Sequence, residues 1–303
     1  MKNKLEDLDI NNLPFLRKNL KRIDKAILKS LPPKNFSKIS KAINYSVLNG
    51  GKRIRPQLVL LMAEALKVDV SPRTIDLMAA SGELIHCYSL IHDDLPSMDD
   101  DDFRRGKLSC HKKFDEATAI LAGNCLFSLA IEILADKKTH PDSKVRSNLI
   151  KLISNYSGVL GLMHGQSLDL QFEKKSPSQN QIMKMYELKT SKLFQFAIAS
   201  PFILSKRSRK EISTALTYGK NFGLIYQITD DILDYEGDID HIGKTPMKDI
   251  VSNKKTMVAK IGRNKAIELC TKLANECTNN RSLFGSDKFI YKNLIFNLIK
   301  RTY

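Results

Sequence analysis

The chain has 303 residues, 42% of them hydrophobic, which excludes a disordered or fibrous polymer and allows one large globular core or two smaller ones. Its 49 lysines and arginines against 33 aspartates and glutamates give a formal net charge of +16, so phosphorylated small molecules and other acidic partners stand beside a merely solvated basic surface. Cys87, Cys110, Cys125, Cys270 and Cys277 are odd in number and never spaced as a zinc or redox pair, which points to reduced thiols and a cytoplasmic setting.

The opening MKNKLEDLDINNLPFLRKNLKRI is charged throughout and has no apolar run of the signal-peptide kind. Pro32-Pro33 predicts a first break. In NGGKRIRPQL, Asn49 to Leu58, Lys52, Arg53 and Arg55 stand beside a glycine pair, the mark of a turn whose backbone approaches a ligand. Ser71-Pro72 predicts the next break. GELIHCYSLIHDD then has helical periodicity, and Pro96 predicts its end near Leu95, which sets Asp93 and Asp94 where the helix dipole is already negative. Asp99 to Asp102 crowd the same stretch and Arg104 and Arg105 follow. Such a run is either kept fully in water or neutralised by divalent cations, and carboxylate oxygens suit Mg²⁺.

No proline interrupts Ser97 to His140, and Leu121, Cys125, Leu129 and Ile133 recur at the spacing of a buried helical face, as do Leu149, Leu152 and Ile153. AILAGNCLFSLAIEILA is broken by Asn124 and Glu132, which argues against stable membrane insertion. Further breaks are expected at Asp136 to Ser143, Lys174 to Ser178 and Gly237 to Lys255. Strand patterns are hard to find, so the prediction is an all-α single domain over residues 1–303, of a kind that suits pairing with a second copy. A second acidic cluster lies in FGLIYQITDDILDYEGD. If Phe222, Ile225, Ile228 and Ile232 pack inward, Asp230, Asp231 and Asp234 are drawn toward the interior, at a cost of about several kcal/mol unless cations neutralise them. Lys189 and Thr190 in YELKTSKLF and Lys244 in HIGKTPMKD add positive charge. Two acid-rich sites with basic residues around each suit metals held by carboxylates and phosphates held by metals and cationic side chains.

In order and rough spacing, GGKRIRP, the two acidic motifs, HGQSLDL, ELKT and YQITDDILD resemble the trans-isoprenyl diphosphate synthases, most of all the bacterial farnesyl diphosphate synthase type, from about Asn49 to about Lys260. The resemblance implies an isoprenoid-synthase-type helical bundle, with the two acidic motifs facing each other across a central cavity, usually in a homodimer. It implies that Asp93, Asp94 and Asp99, with Asp230, Asp231 and Asp234, hold three Mg²⁺ ions on the diphosphate of an allylic substrate, dimethylallyl or geranyl diphosphate. It assigns Gly51, Lys52, Arg55, His86 and Arg105 to isopentenyl diphosphate, and Arg104, Lys189 and Lys244 to the allylic diphosphate. Thr190 and Gln227 direct oxygen dipoles at the allylic cation, while Gln166 and Asp169 line or support the pocket. Tyr88 is expected to floor the cavity and to set farnesyl diphosphate as the main product, although on the helical wheel Ser89 lies nearer the line below the aspartates. A geranylgeranyl diphosphate synthase and a non-catalytic partner subunit are the alternatives; a nucleic-acid partner is not expected. Ser191, Met247 and Met257 depart from the family, which commonly has glycine, glycine and tyrosine there.

Overall fold

The computed structural model describes residues 14–236, 254–278 and 288–300. In chain order these form α1 (Pro14–Ser30), α2 (Lys38–Val47), α3 (Ile54–Ala65), α4 (Pro72–Asp93), α5 (Cys110–Lys113), α6 (Glu116–Ala135), α7 (Ser143–Ser157), α8 (Leu162–Glu173), α9 (Gln179–Tyr186), α10 (Lys192–Leu204) and α11 (Arg209–Glu236). Helices Met257–Ile261, Arg263–Thr278 and Lys288–Lys300 follow. The fold is all-α, and the breaks predicted at Pro32-Pro33, Ser71-Pro72, Asp136 to Ser143 and Lys174 to Ser178 are present; of the break expected at Gly237 to Lys255, residues 237–253 lie outside the described residues. Ser71 caps α4 by accepting the Thr74 N–H at 3.1 Å, and Pro72 starts the helix where a missing N–H costs nothing. The helix ends at Asp93, with Asp94 as its C-cap, ahead of Pro96.

Periodicity does not foretell one hairpin. Strands β1 (Phe103–Arg104) and β2 (Lys107–Leu108) pair antiparallel, with Arg104 opposite Lys107. Arg105 (φ 54°) and Gly106 (φ 75°) take the two left-handed positions that a tight hairpin turn requires.

The described residues fall into two compact units. In the first, Asn19–Ser154 with Ile203–Lys206, α4 packs along α6 and α3. The inward face of α6 consists of Ala119, Ala122, Leu126 and Ala130, all fully buried, and the small residues let α4 approach closely. Leu121 and Cys125, expected on that buried face, are exposed instead, and only Ile133 of the predicted stripe is buried. By length and composition α6 is apolar enough to cross a bilayer, yet 44% of its apolar window is buried in the protein.

In the second unit, α11 packs against Arg263–Thr278, Lys288–Lys300 and a π-helical turn, Glu187–Ser191, that joins α9 to α10. Phe222, Ile225, Ile228 and Ile232 are fully buried, as their spacing predicts. The π turn widens the backbone at the ELKTS segment, a distortion that concentrates at functional sites. Two glycines make room for it. Any side chain at Gly165 of α8 would collide with the Lys189 backbone, and any at Gly223 of α11 with Ser191, which is wholly buried.

Candidate active site

The first unit gathers cations around one imidazole. Gly50 (φ 79°) and Gly51 (φ 119°) turn the chain between α2 and α3, and Arg53 (φ 48°) then points inward. Its guanidinium donates to the Glu83 carboxylate at 2.8 Å, the Val47 carbonyl at 2.7 Å and Asp24 at 3.1 Å. Arg53 and Glu83 each keep only 2% of their side-chain surface in solvent. Burial works against the Arg53 charge, but Glu83 outweighs it and holds the guanidinium firmly protonated. With Arg53 turned in, Lys52 stays exposed and Arg55 half-buried. From the hairpin, Arg105 donates to the Gly50 carbonyl, and a Cβ at Gly51 would meet its guanidinium carbon at 2.6 Å. Asn49 adds a bond to the Arg104 carbonyl at 3.0 Å. His86, one turn beyond Glu83 on α4, has its pKa pushed well below the usual imidazole value, first by burial and then by Arg55, Arg105, Arg104 and Arg53. The result is a neutral ring among guanidiniums, a setting made for an anion with several oxygens.

Beside it lies the first acidic motif. Asp93 and Asp99 are half-buried and Asp94 is 2% exposed. The segment after α4 folds back on the helix end, with Asp99 N–H donating to the Asp93 carbonyl at 2.9 Å and Asp101 N–H to the Asp94 carbonyl at 3.1 Å. Arg104 grips Asp94 with Nε at 2.9 Å and reaches Asp101 at 3.1 Å. Asp94 and Arg104, assigned above to different partners, thus hold each other. Asp101 belongs to the acidic run but not to the ligand set that the resemblance assigns, and Asp100 and Asp102 approach His111, with candidate ligand atoms within 4.8 Å of one another; Lys112 pairs with Asp102 at 2.8 Å. Five residues before Asp93, buried Tyr88 stacks edge-on with His92 (4.9 Å between ring centres) and with Phe127 of α6 (5.8 Å). Burial, then Asp93, raises its phenol pKa. Ser89 turns its hydroxyl back to the His86 carbonyl at 2.9 Å.

The second unit holds the other motif. Lys189 on the π turn pairs with Asp169 of α8 at 2.5 Å, and Thr190 donates to the Gln227 carbonyl oxygen at 2.7 Å. Gln227 in turn donates from Nε2 to Asp231 at 3.0 Å. Asp231 is 4% exposed, whereas Asp230 and Asp234 are half-buried. The other oxygen of Asp231 accepts the Tyr186 hydroxyl, which itself accepts the Met257 N–H at 2.9 Å. Burial and then Asp231 push the Tyr186 pKa well above its usual value, so the phenol is a donor. Gln166 is buried, with neither amide atom hydrogen-bonded among the described residues. Lys244 and Met247 lie outside the described residues.

The donor set at both motifs is all hard carboxylate oxygen, which fits Mg²⁺ and not a thiophilic metal. A family model for polyprenyl synthetase matches residues 36–284. The chain belongs to the polyprenyl synthetase family. It is 43% identical to the farnesyl diphosphate synthase of Micrococcus luteus over 253 residues, 82% of this chain and 84% of that one. Among solved structures, it superposes on an FPP/GFPP synthase from Zymomonas mobilis with a TM-score of 0.83 at 31% identity, covering 96% of this chain and 100% of the other. It also superposes on a Helicobacter pylori geranyltransferase complexed with magnesium and isoprenyl diphosphate, with a TM-score of 0.80, 30% identity and coverage of 98% and 99%. In this polyprenyl synthetase the matched span includes every aspartate of both motifs and all the basic residues described above.

Proposed function

We propose that the chain is a prenyltransferase, one synthase domain over 1–303, that joins isopentenyl diphosphate to dimethylallyl and geranyl diphosphates and makes farnesyl diphosphate as its main product. The observation that carries this reading is the meeting, within one unit, of buried Asp94 and half-buried Asp93 and Asp99 with Arg104, and of Arg105 with the glycine turn before Lys52, a setting for metal and phosphate oxygen together. Lys52, on the loop that Arg53 and Arg105 pin, adds an exposed cation. Asp93, Asp94 and Asp99, with Asp230, Asp231 and Asp234, would hold magnesium, three ions with substrate bound. Magnesium, when bound, supplies positive charge that stabilises the departing diphosphate. Asp94 and Arg104, which hold each other here, would instead hold the metal and a phosphate oxygen, respectively. Lys189, fixed by Asp169, and Lys244 contribute charge to the allylic diphosphate. Heterolysis of its C–O bond leaves an allylic cation, toward which Thr190 and Gln227 present oxygen dipoles. The isopentenyl double bond supplies the electron pair for the new C–C bond, and a proton leaves to the pyrophosphate. Gln166, buried with an uncommitted amide, supports a place in the pocket wall.

The relative solved with magnesium and isoprenyl diphosphate supports this choice of metal and ligand class. The outward apolar residues of α6 support a homodimer, and kinship with farnesyl diphosphate synthases supports a cytoplasmic enzyme. The test is incubation of purified protein with labelled isopentenyl diphosphate, each allylic starter and Mg²⁺, followed by sizing of the products. Fifteen-carbon product that disappears on chelation and returns with Mg²⁺ is expected. A mainly twenty-carbon product identifies a geranylgeranyl diphosphate synthase instead. No product from any starter, or near-normal turnover by Asp93→Ala or Asp230→Ala, overturns the proposal.

A further inference from the structure

The second unit contains a chain of hydrogen bonds that runs past the residues assigned to the reaction and ends on a backbone N–H. Thr190 donates to Gln227 Oε1 at 2.7 Å, Gln227 Nε2 donates to Asp231 Oδ1 at 3.0 Å, Tyr186 donates to Asp231 Oδ2, and the Met257 N–H donates to the Tyr186 oxygen at 2.9 Å. The directions are forced. An ionised carboxylate only accepts, so Asp231 selects the NH₂ end of the Gln227 amide and leaves its carbonyl end toward Thr190. Had the amide turned over, two acceptors would face each other in a buried place, at a cost comparable to a lost hydrogen bond. Asp231 can impose that choice only while its own plane is fixed, and the Tyr186 hydroxyl fixes it. The phenol in turn cannot rotate away, because its lone pair holds a backbone donor at the start of Met257–Ile261.

We propose that Tyr186 is a positioning residue for the condensation: it holds Asp231, which sets the orientation of the Gln227 amide and with it the oxygens of Gln227 and Thr190. This rests on the prenyl-transfer reading above. Each oxygen of Asp231 accepts one of these bonds, which fixes the plane of the carboxylate within the second acidic motif. Nothing in the sequence spacing separates Asp231, 4% exposed, from the half-buried Asp230 and Asp234; burial does.

The experiment is a double-mutant cycle with Tyr186→Phe and Asp231→Asn in the full-length enzyme, reading kcat, the Michaelis constant for isopentenyl diphosphate and the Mg²⁺ concentration at half-maximal rate. Tyr186→Phe is expected to lower kcat about tenfold or more, with the other two quantities changed less than about threefold. In the Asp231→Asn background the same substitution should cost less than about threefold, since its route of action is already gone. An unchanged kcat or fully additive losses overturn the assignment. If Tyr186→Phe does not fold, 4-fluorophenylalanine at 186 keeps the ring and a para substituent but removes the donor to Asp231; turnover unchanged within error is then the overturning result. A wild-type enzyme without condensation activity overturns the proposed function as well, whereas an active wild type with an indifferent Tyr186→Phe overturns this inference alone.

Discussion

Tyr88 and His86 sit two residues apart on α4 and answer to different forces. Tyr88 packs against His92 and Phe127, all within one unit, and is 6% exposed, which fits the proposed role of cavity floor. Five residues at about 1.5 Å each set it roughly 7.5 Å from Asp93 along the axis. Removing the ring opens a volume that the small inward residues of α6 cannot fill. Tyr88→Ala is therefore expected to shift the product from fifteen carbons to twenty and longer, read by chromatography of the dephosphorylated products; an unchanged profile would place the floor elsewhere. His86 responds to burial first and then to charge. Its folded-state pKa lies below the unfolded value of about 6.5, so only the unfolded chain takes up this proton as the pH falls through 6.5 toward the folded value. The stability that the neutral ring contributes is present at neutral pH and lost in that window. Between pH 7.5 and 5.5 the Tm of the wild type should fall by more than that of His86→Gln, measured by calorimetry in the absence of diphosphate. An equal fall in both would mean that the guanidiniums do not act on this ring.

At the level of elements, Arg53 joins the α2–α3 turn to α4. A buried ion pair is weak evidence for stability, because apolar replacements often serve as well, but breaking one side strands a charge and costs about 3–5 kcal/mol. Glu83→Ala should therefore lower the unfolding free energy by that order, while Arg53→Met with Glu83→Leu recovers most of it. Both variants release the turn that carries Lys52 and Arg55. The Michaelis constant for isopentenyl diphosphate should thus rise more than that for the allylic substrate even in the stable double variant, and equal rises would show that the pair does not serve the loop. Little of this was legible beforehand. In KRIR the three basic residues look alike, and only the left-handed backbone at Arg53 sends one inward while its neighbours stay out. Pro96, by contrast, ends α4 through local sterics, which is why the place of Asp93 at that helix end could be read in advance. The π turn at Lys189 and Thr190 escaped notice for the opposite reason. Its register depends on Gly165 and Gly223, distant in sequence, leaving room for a wider backbone. The aspartates, Lys189 and Gln227 stand out in the sequence as candidates; Tyr186 does not, since a lone tyrosine on a helical face is ordinarily core.

At the scale of the whole molecule, α6 has apolar residues on both faces, and that is where periodicity misled. Leu121, Cys125, Leu129 and Ile133 form a fair stripe, but Ala119, Ala122, Leu126 and Ala130 form another, and the core takes the one whose small side chains let α4 come close. The start of the bulkier stripe is left outward, with Leu121 47% and its neighbour Ile120 43% exposed, while Leu129 is half-buried and Ile133 buried. A helix of 20 residues is about 30 Å long, enough to lay one continuous strip against its equivalent in a second copy, though the roughly 800 Å² per partner of a stable interface needs neighbouring surface as well. In a two-fold dimer every substitution on such a strip is counted twice. Leu121→Asp then buries two uncompensated carboxylates at once, each costing on the order of a few kcal/mol, and should weaken dimerisation at least a hundredfold. Because Leu121 lies outside the monomer core, helical content should not change. Sedimentation analysis is expected to give a wild type at about twice the 34.3 kDa chain mass and a Leu121→Asp variant that dissociates at micromolar concentration. A wild type that sediments as a monomer, or a variant that stays dimeric at those concentrations, would show that the outward stripe of α6 is not where two copies meet.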